Sequence, residues 1–150
     1  MALHFPHSHP PAAGELTEVV PGVFWLRMPL PFQLDHINLW LLRDGDGWVI
    51  IDTGFPEDHV RETWSLILDR LNGPVHKLIV THFHPDHLGL ASWLMEKTGA
   101  PLWMSTGEFL TAHVVWNEVG GHGARFMVEQ FRQHGLEAGH RSEEHTSELQ

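Results

Sequence analysis

The stretch THFHPDHLG, residues 81–89, places three histidines and one aspartate within six positions: His82, His84, Asp86 and His87. It directly follows the apolar run LIV, residues 78–80, which is typical of a buried strand. Side chains at the carboxyl end of a strand lie at the rim of a sheet, where α/β folds place their sites. The cluster therefore predicts a metal site, and a catalytic zinc needs about three protein ligands plus a water.

Spacing within the cluster divides the predicted ligands into two pairs. Residues two apart in an extended segment point the same way, so His82 and His84 are predicted to bind one ion together. Asp86 and His87 follow Pro85, where the chain turns, and are predicted to reach a second ion. The alternative is a polar loop without a metal. Four ligand-type residues in six positions, after a buried strand, favour metal binding.

Composition limits the classes of function. The 150 residues contain no cysteine, which excludes a disulfide, a thiolate zinc site and a cysteine nucleophile. The formal net charge of −10 disfavours nucleic-acid binding through a basic face. No apolar run approaches the roughly 18 residues of a membrane span. The first residues lack a long apolar core and a basic lead, so no secretory signal is predicted and a cytoplasmic protein is expected.

Patterns along the chain alternate between strand and helix, which predicts an α/β (α+β) fold. An Asp/Gly turn at residues 44–47 joins two strand candidates, as in a hairpin. After IDTG the apolar residues recur at helical spacing, from Pro56 in the expected first turn to Leu71. Strands are predicted at residues 23–30, 36–42, 48–54, 76–82 and 101–105, and helices at 56–71, 88–98, 108–119 and 124–134.

The quoted stretch resembles a family signature. THFHPDH resembles the His-x-His-x-Asp-His pattern of the metallo-β-lactamase fold superfamily, and VIIDTG, residues 49–54, resembles the strand end that precedes it there. The order of hairpin, IDTG, helix, strand and signature also fits, over residues 20–105. The resemblance implies a four-layer αββα sandwich of which this truncated chain would supply the N-terminal half. It says little about the substrate.

The resemblance also implies roles for individual residues. His82 and His84 would ligate the first metal, Asp86 and His87 the second, and Asp52 would be a structural residue that holds the metal loop by hydrogen bonds. A complete site would bind two Zn²⁺ ions, with iron or manganese in some branches. The metals would lower the pKa of a bridging water toward about 7, and the hydroxide would attack a carbonyl or phosphorus centre. Asp86 would be the catalytic residue that orients the hydroxide.

Three further ligands of the family pattern are expected downstream: a histidine, a bridging aspartate and a last histidine. In the family the next histidine follows a strand. No strand is predicted before any downstream histidine of this chain, so none is assigned as a ligand. These histidines are His113, His122, His134, His140 and His145.

The last ten residues, RSEEHTSELQ, differ in amino-acid composition from the rest of the chain. One interpretation is a disordered polar C-terminus. The string also resembles a translated short-read sequencing adapter, in which case the natural sequence ends near His140 and the missing ligands were encoded beyond it. The expected organisation is a disordered leader at 1–19, the N-terminal half of a metallo-β-lactamase-like domain at 20–140 and a non-native tail at 141–150. In such a half domain, the inner apolar face of the sheet, which should meet the second half, would be exposed and would favour aggregation.

The leading functional hypothesis is a metal-dependent hydrolase of small-molecule esters, thioesters or lactones, such as a glyoxalase-II-like thioesterase, with the fragment inactive alone. Alternatives are a family nuclease acting on RNA, a di-iron member that reduces oxygen or oxidises sulfur, and a non-catalytic metal-binding fragment. The substrate, the native metal and the oligomeric state stay open. Candidates for the pocket mouth, or for an ordinary surface loop, are Phe32, Leu34, Asp35 and His36.

Overall fold

The structure is a computed structural model that describes residues 7, 9–121 and 124–135. Within these ranges, six strands form one sheet and are flanked by helices. The strands are β1 (Leu16–Val20), β2 (Val23–Pro29), β3 (His36–Asp44), β4 (Gly47–Ile51), β5 (Val75–Ile79) and β6 (Leu102–Trp103). The helices are α1 (Asp58–Arg70), α2 (Pro85–Leu88), α3 (Ala91–Thr98), α4 (Thr106–Trp116) and α5 (Ala124–Gln133), with a 3₁₀ turn at Val119–Gly121.

The strands lie in the sheet in the order in which they occur along the chain. Strands β1 to β4 pair antiparallel, and the tight turn between Asp44 and Gly47 joins β3 to β4 as the sequence predicts. Strands β4, β5 and β6 pair parallel, with α1 connecting β4 to β5. The carboxyl ends of β4 and β5 therefore meet at the same edge of the sheet, where the residues after each strand can contact one another.

Helix α1 covers one face of the sheet with the side chains that the helical spacing predicts. Val60, Trp64 and Ile67 are buried at intervals of four and three residues, which places them on one side of the helix. They join Leu39, Ile50 and other apolar residues of the sheet in a single core. Pro56, expected in the first turn, lies before the helix, which begins at Asp58 after the cap residue Glu57.

The sheet begins earlier than the sequence indicated. Leu16–Val20 forms β1, and the Gly14 backbone N–H donates to the Arg27 carbonyl, so the expected leader at 1–19 is wrong for the residues that form this strand. The segment LTEVV carries a threonine and a glutamate and has a weak apolar pattern by itself. Its pairing with β2 supplies the hydrogen bonds and the contact of Leu16 with the core.

Other predicted elements also have different bounds, among them β4, which ends at Ile51, and α4, which spans Thr106–Trp116. Strand β5 ends at Ile79, three residues before His82, and β6 comprises only two residues. The helix expected at 88–98 is divided: Leu88 ends α2, and α3 starts at Ala91.

No helix in the described part of the chain is both long and apolar enough to cross a membrane. The expected tail at 141–150 lies outside the described residues.

Candidate metal centre

The four predicted ligands lie on a connection, residues 81–89, that we call the histidine loop. It follows β5 after Val80, and its second half is the single turn of helix α2. Asp52 follows the adjacent strand β4, and its backbone N–H donates to the Ile79 carbonyl at 2.8 Å. The parallel pairing of β4 with β5 thus brings Asp52 to the start of the histidine loop.

Asp52 joins the start and the end of this loop through one buried carboxylate, and the residue is 5% exposed. Its Oδ1 accepts from the Thr81 backbone N–H at 2.7 Å, and its Oδ2 lies 2.8 Å from His87 Nδ1. The Thr81 hydroxyl lies 3.0 and 2.9 Å from Oδ1 and Oδ2. Asp52 has a backbone φ of 62°, in the left-handed region that non-glycine residues seldom occupy. This conformation is retained where the surrounding contacts determine it.

The ionised form of Asp52 is favoured despite its burial. Burial is the largest influence on its pKa and acts to raise it. The hydrogen bonds from His87 and from the backbone and side chain of Thr81 act in the opposite direction and prevail. The pKa of Asp52 consequently lies below its ordinary value, so the ionised carboxylate accepts hydrogen bonds from its three donors at neutral pH.

The Asp52–Thr81 pair fixes which ring nitrogens carry protons. A threonine hydroxyl has one proton, and that of Thr81 is donated to the Asp52 carboxylate. The same hydroxyl lies 3.0 Å from His82 Nδ1, so it accepts from Nδ1–H. His87 Nδ1–H likewise donates to Asp52. In both neutral rings the lone pair is then on Nε2, as in metal-binding histidines whose other nitrogen donates to a carboxylate or carbonyl.

His87 is bounded by a carboxylate at each nitrogen. Asp52 lies at Nδ1, and Asp86 Oδ2 lies 3.4 Å from Nε2. When the ring is neutral, the Nε2 lone pair and the Asp86 oxygen are two acceptors side by side. A second proton on the ring or a shared cation relieves this repulsion. The pair therefore offers a nitrogen and an oxygen donor, the atom types that divalent metals take.

His82 lies between the other two histidines. Its ring centroid is 3.9 Å from that of His87 and 4.6 Å from that of His84. The pKa of His82 lies below its ordinary value, mainly because the ring is partly buried and also because His87 and His84 lie nearby. His82 is thereby favoured as a neutral imidazole, which is the form that ligates metals.

Thr53 and Gly89 attach the histidine loop to the core. Thr53 is fully buried, and its hydroxyl donates to the His87 carbonyl at 2.7 Å and accepts from the Leu90 N–H at 3.1 Å. A Cβ on Gly89 would lie 2.2 Å from the Pro85 carbonyl oxygen and 2.6 Å from Pro56 Cδ. Glycine is therefore needed at position 89 for steric reasons, because its backbone dihedrals are ordinary helical ones.

The predicted ligands are neighbours, yet they do not form a finished site. Among the described residues, no group of three or more histidine, aspartate or glutamate side chains is arranged to hold a metal ion. Three imidazoles and a carboxylate are nevertheless the nitrogen and oxygen donors that zinc and related divalent metals take. The set fits a metal centre in its chemistry, and it is incomplete in number.

Most of the remaining candidate residues lie at the surface or outside the described ranges, whereas Phe32 is half-buried against the core. Phe32 packs edge-on against Phe55, and Leu34 is 61% exposed between β2 and β3. Asp35 pairs with His36 at 2.7 Å and lies 3.7 Å from Arg27. His113 is an exposed residue of α4, and His134 is exposed just after α5. Three of the downstream histidines lie outside the described residues: His122, His140 and His145.

Three residues whose side chains hold the histidine loop were not singled out from the sequence: Thr81 within the loop, and Thr53 and Glu108 outside it. The first two belong to the quoted segments THFHPDH and IDTG, so their position beside ligands was a usable signal. Glu108 was predicted only as the start of a helix. Its Oε2 accepts from the Phe83 backbone N–H at 2.9 Å, a contact across 25 positions that no local pattern indicates.

Comparison with known proteins gives one family match. A family model described as the metallo-beta-lactamase superfamily matches residues 33–123. The probable metallo-hydrolase YybB of Bacillus subtilis (strain 168) is 30% identical over 79 residues, which are 47% of this chain and 33% of that protein. A beta-lactamase-like protein 2 homolog of Caenorhabditis elegans is 28% identical over 81 residues, which are 50% of this chain and 27% of that protein. The chain spans about a third of the length of these relatives.

Solved structures agree with this match. A beta-lactamase domain protein from Burkholderia ambifaria is 46% identical with a TM-score of 0.73, covering 86% of this chain and 39% of that chain. A metallo-beta-lactamase family protein from Thermus thermophilus is 27% identical with a TM-score of 0.67, covering 87% of this chain and 42% of that one. The mixed sheet and helices described above are thus the architecture of these proteins.

Proposed function

Because the chain belongs to the metallo-beta-lactamase superfamily, we propose that it carries part of the active centre of a metal-dependent hydrolase. The proposed substrates are small esters, thioesters or lactones, and the proposed metal is zinc. The observation that carries the proposal is the position of His87, between Asp52 at Nδ1 and Asp86 at Nε2, with His82 beside its ring. This arrangement orients donor atoms that a divalent cation would join.

Each residue has a proposed task. His82 and His84 bind one metal, and Asp86 and His87 bind the other. Asp52 and Thr81 keep the His82 and His87 rings in the tautomer whose Nε2 carries the lone pair. When bound, divalent metals in such centres polarise the carbonyl under attack and make water acidic enough to react near neutral pH. Asp86 is also proposed to orient the attacking nucleophile, as a carboxylate that accepts a hydrogen bond from it.

The described residues supply two donors for each metal, whereas a catalytic site uses about three plus a water. We therefore propose that further donors come from outside the described residues, and that this chain alone turns over substrate negligibly. Its divalent-metal affinity should be measurable but weaker than that of a complete centre.

Metal binding is the first test. Titration of the chelator-treated chain with Zn²⁺, followed by calorimetry, should give a saturable binding isotherm. His84→Ala and Asp86→Ala should each weaken it, and His113→Ala is the matched control because His113 is exposed on α4. Equal zinc affinity in the wild type, His84→Ala and Asp86→Ala would remove the basis of the proposal.

Activity requires a complete domain. The Burkholderia ambifaria structure is 46% identical, and this chain covers 39% of it. A chimera that joins residues 9–121 of this chain to the remaining part of that protein should bind zinc and hydrolyse members of an ester, thioester and lactone panel. His84→Ala in the chimera should abolish the turnover. Turnover that survives both chelation and His84→Ala would contradict a metal-dependent mechanism.

The other functional classes are outcomes of the same experiment. A chimera that binds zinc and cleaves only RNA would replace the hydrolase proposal by a nuclease. One that binds zinc and turns over none of the substrates would indicate a binding role. The acidic balance of 19 Asp and Glu against 9 Lys and Arg makes nucleic acid the less favoured substrate.

A further inference from the structure

The middle of the histidine loop contacts a helix that the ligand pattern does not include. Phe83 lies between His82 and His84, and its backbone N–H donates to Glu108 Oε2 at 2.9 Å. Both Phe83 and Glu108 are half-buried. A hydrogen bond to an ionised acceptor is stronger than one between neutral groups, and partial removal from water adds to its strength.

Glu108 lies in the first turn of α4, three residues after the cap residue Ser105. Ser105 caps the helix, and its Oγ accepts from the Glu108 backbone N–H at 3.2 Å. Serine followed three residues later by glutamate is the capping-box pattern, in which the glutamate side chain usually reaches back to the N–H of the cap residue. Here the Glu108 carboxylate accepts from Phe83 in the neighbouring loop. The use of this carboxylate on another segment indicates a task beyond helix capping.

Backbone hydrogen bonds attach the segment before α4 to the strand before the loop. Strand β6, just before the helix, pairs with β5, just before the histidine loop, and the Val80 N–H donates to the Trp103 carbonyl at 2.9 Å. The helix cap at Ser105 follows Trp103 by two residues. Glu108 therefore lies beside the point where the loop leaves the sheet.

We propose that Glu108 is a positioning residue, which fixes the peptide between His82 and His84 so that their two imidazoles can bind the same ion. The role rests on the proposed function. Asp52 contacts the loop at Thr81 and His87 from the side of β4. Glu108, on the helix that follows β6, contacts it at Phe83 from the other side of β5. Phe83 also packs edge-on against the His84 ring, with centroids 4.8 Å apart, so a rotation of this peptide moves a ligand directly.

Two measurements on the chain test this role with Glu108→Ala, Glu108→Gln and Ser105→Ala. The first is the exchange rate of the Phe83 amide proton, followed by NMR in the metal-free protein. Loss of a hydrogen bond to a charged acceptor should speed exchange about 10- to 100-fold in Glu108→Ala. Ser105→Ala removes the helix cap and keeps the carboxylate, so it should leave Phe83 protected. Glu108→Gln retains a neutral acceptor and should give an intermediate rate.

The second measurement is Zn²⁺ affinity by calorimetry. Removal of a group that orients a ligand typically weakens metal binding about 10- to 100-fold, and Glu108→Ala should lie in that range. Ser105→Ala and the exposed-site variant Glu96→Ala should bind zinc as the wild type does. Circular dichroism of each variant separates loss of positioning from loss of folding, because Ser105→Ala weakens α4 without touching the loop.

The outcomes separate the two proposals. Zinc binding that is weakened by His84→Ala and unaffected by Glu108→Ala would overturn the positioning role and leave the proposed metal centre standing. Unchanged Phe83 exchange in Glu108→Ala would also overturn it. Absence of zinc binding in the wild type would overturn the proposed function and, with it, the role of Glu108.

Discussion

At the scale of single residues, Asp52 connects the start and the end of the histidine loop through one carboxylate. Its replacement by asparagine keeps the shape of the side chain but replaces one of the two hydrogen-bond-accepting oxygens by an NH₂ group, which is a donor. That NH₂ group would face either Thr81 or His87 Nδ1–H, which are both donors to Asp52. Unmatched buried donors cost about 1–3 kcal/mol.

We therefore expect Asp52→Asn to lower the free energy of unfolding by about 1–3 kcal/mol in urea denaturation at neutral pH. Asp69→Asn, an exposed substitution on α1, is the matched control and should change it by less than about 0.5 kcal/mol. An Asp52→Asn protein as stable as the control would mean that the carboxylate does not hold the loop.

The pH dependence of stability follows from two lowered pKa values. The pKa of Asp52 in the folded protein lies below its ordinary value of 3.8, so the unfolded chain takes up this proton at a higher pH. The stability that Asp52 contributes is complete above 3.8 and is lost as the pH falls through the folded pKa. The pKa of His82 in the folded protein lies below its ordinary value of 6.5. As the pH falls past 6.5, the unfolded chain therefore takes up this proton before the folded protein does, and the folded protein loses stability.

Urea denaturation of the metal-free chain at a series of pH values should therefore show two losses of stability on acidification. The loss that begins near 6.5 should shrink in His82→Asn, and the loss below 3.8 should shrink in Asp52→Asn. If the free energy of unfolding of both variants depends on pH in the same way as that of the wild type, these assignments are contradicted.

At the scale of elements, the break between α2 and α3 depends on close backbone approach. Gly89 lies against Pro85, Pro56 and the Gly54 carbonyl, and an added Cβ would have contacts of 2.2, 2.6 and 3.1 Å there. Gly107 in the first turn of α4 offers the opposite case, since its nearest neighbour would be Ser105 Oγ at 3.8 Å.

The two glycines should respond to alanine with opposite signs. Gly89→Ala should destabilise the protein by about 1–3 kcal/mol through overpacking. Gly107→Ala should stabilise it by about 0.5–1 kcal/mol, because alanine is the better helix former and has room. Thermal denaturation of both variants measures the difference. A stabilising Gly89→Ala would show that the histidine loop can move away from the IDTG segment without cost.

The elements also show which features could be predicted from the sequence and why other strands, helix ends and contacts could not. The strands after residue 22, the helix α1 and the position of the ligand cluster after β5 follow from apolar periodicity and from a dense motif. Strand β1 has a weak apolar pattern and depends on its pairing with the adjacent β2, and the division between α2 and α3 depends on the Gly54–Pro56 segment, which is distant in sequence. The Asp52 contacts were expected from a resemblance, whereas Glu108 reaches Phe83 through tertiary pairing of β5 with β6.

At the scale of the whole molecule, burial is unevenly distributed along the chain. The strands β2 to β5 and the helix α1 provide most of the core. Residues 103–126 instead carry a series of large apolar side chains that are about half exposed: Trp103, Phe109, Leu110, Trp116, Val119 and Phe126. Exposed apolar surface on this scale indicates a contact surface or an association hazard.

We expect the isolated chain to self-associate through this apolar segment as its concentration rises. Sedimentation velocity over a concentration series should show the wild type moving from monomer to larger species. The double variant Trp103→Glu with Leu110→Glu should shift that transition to higher concentration, because it places charge within the segment. Leu66→Glu is the matched control, since Leu66 is equally exposed at 58% but lies on α1. If the control suppresses association as strongly as the double variant, the added charge is the cause, and the apolar segment is not the association surface. A wild type that stays monomeric throughout would show that these side chains are tolerated in water.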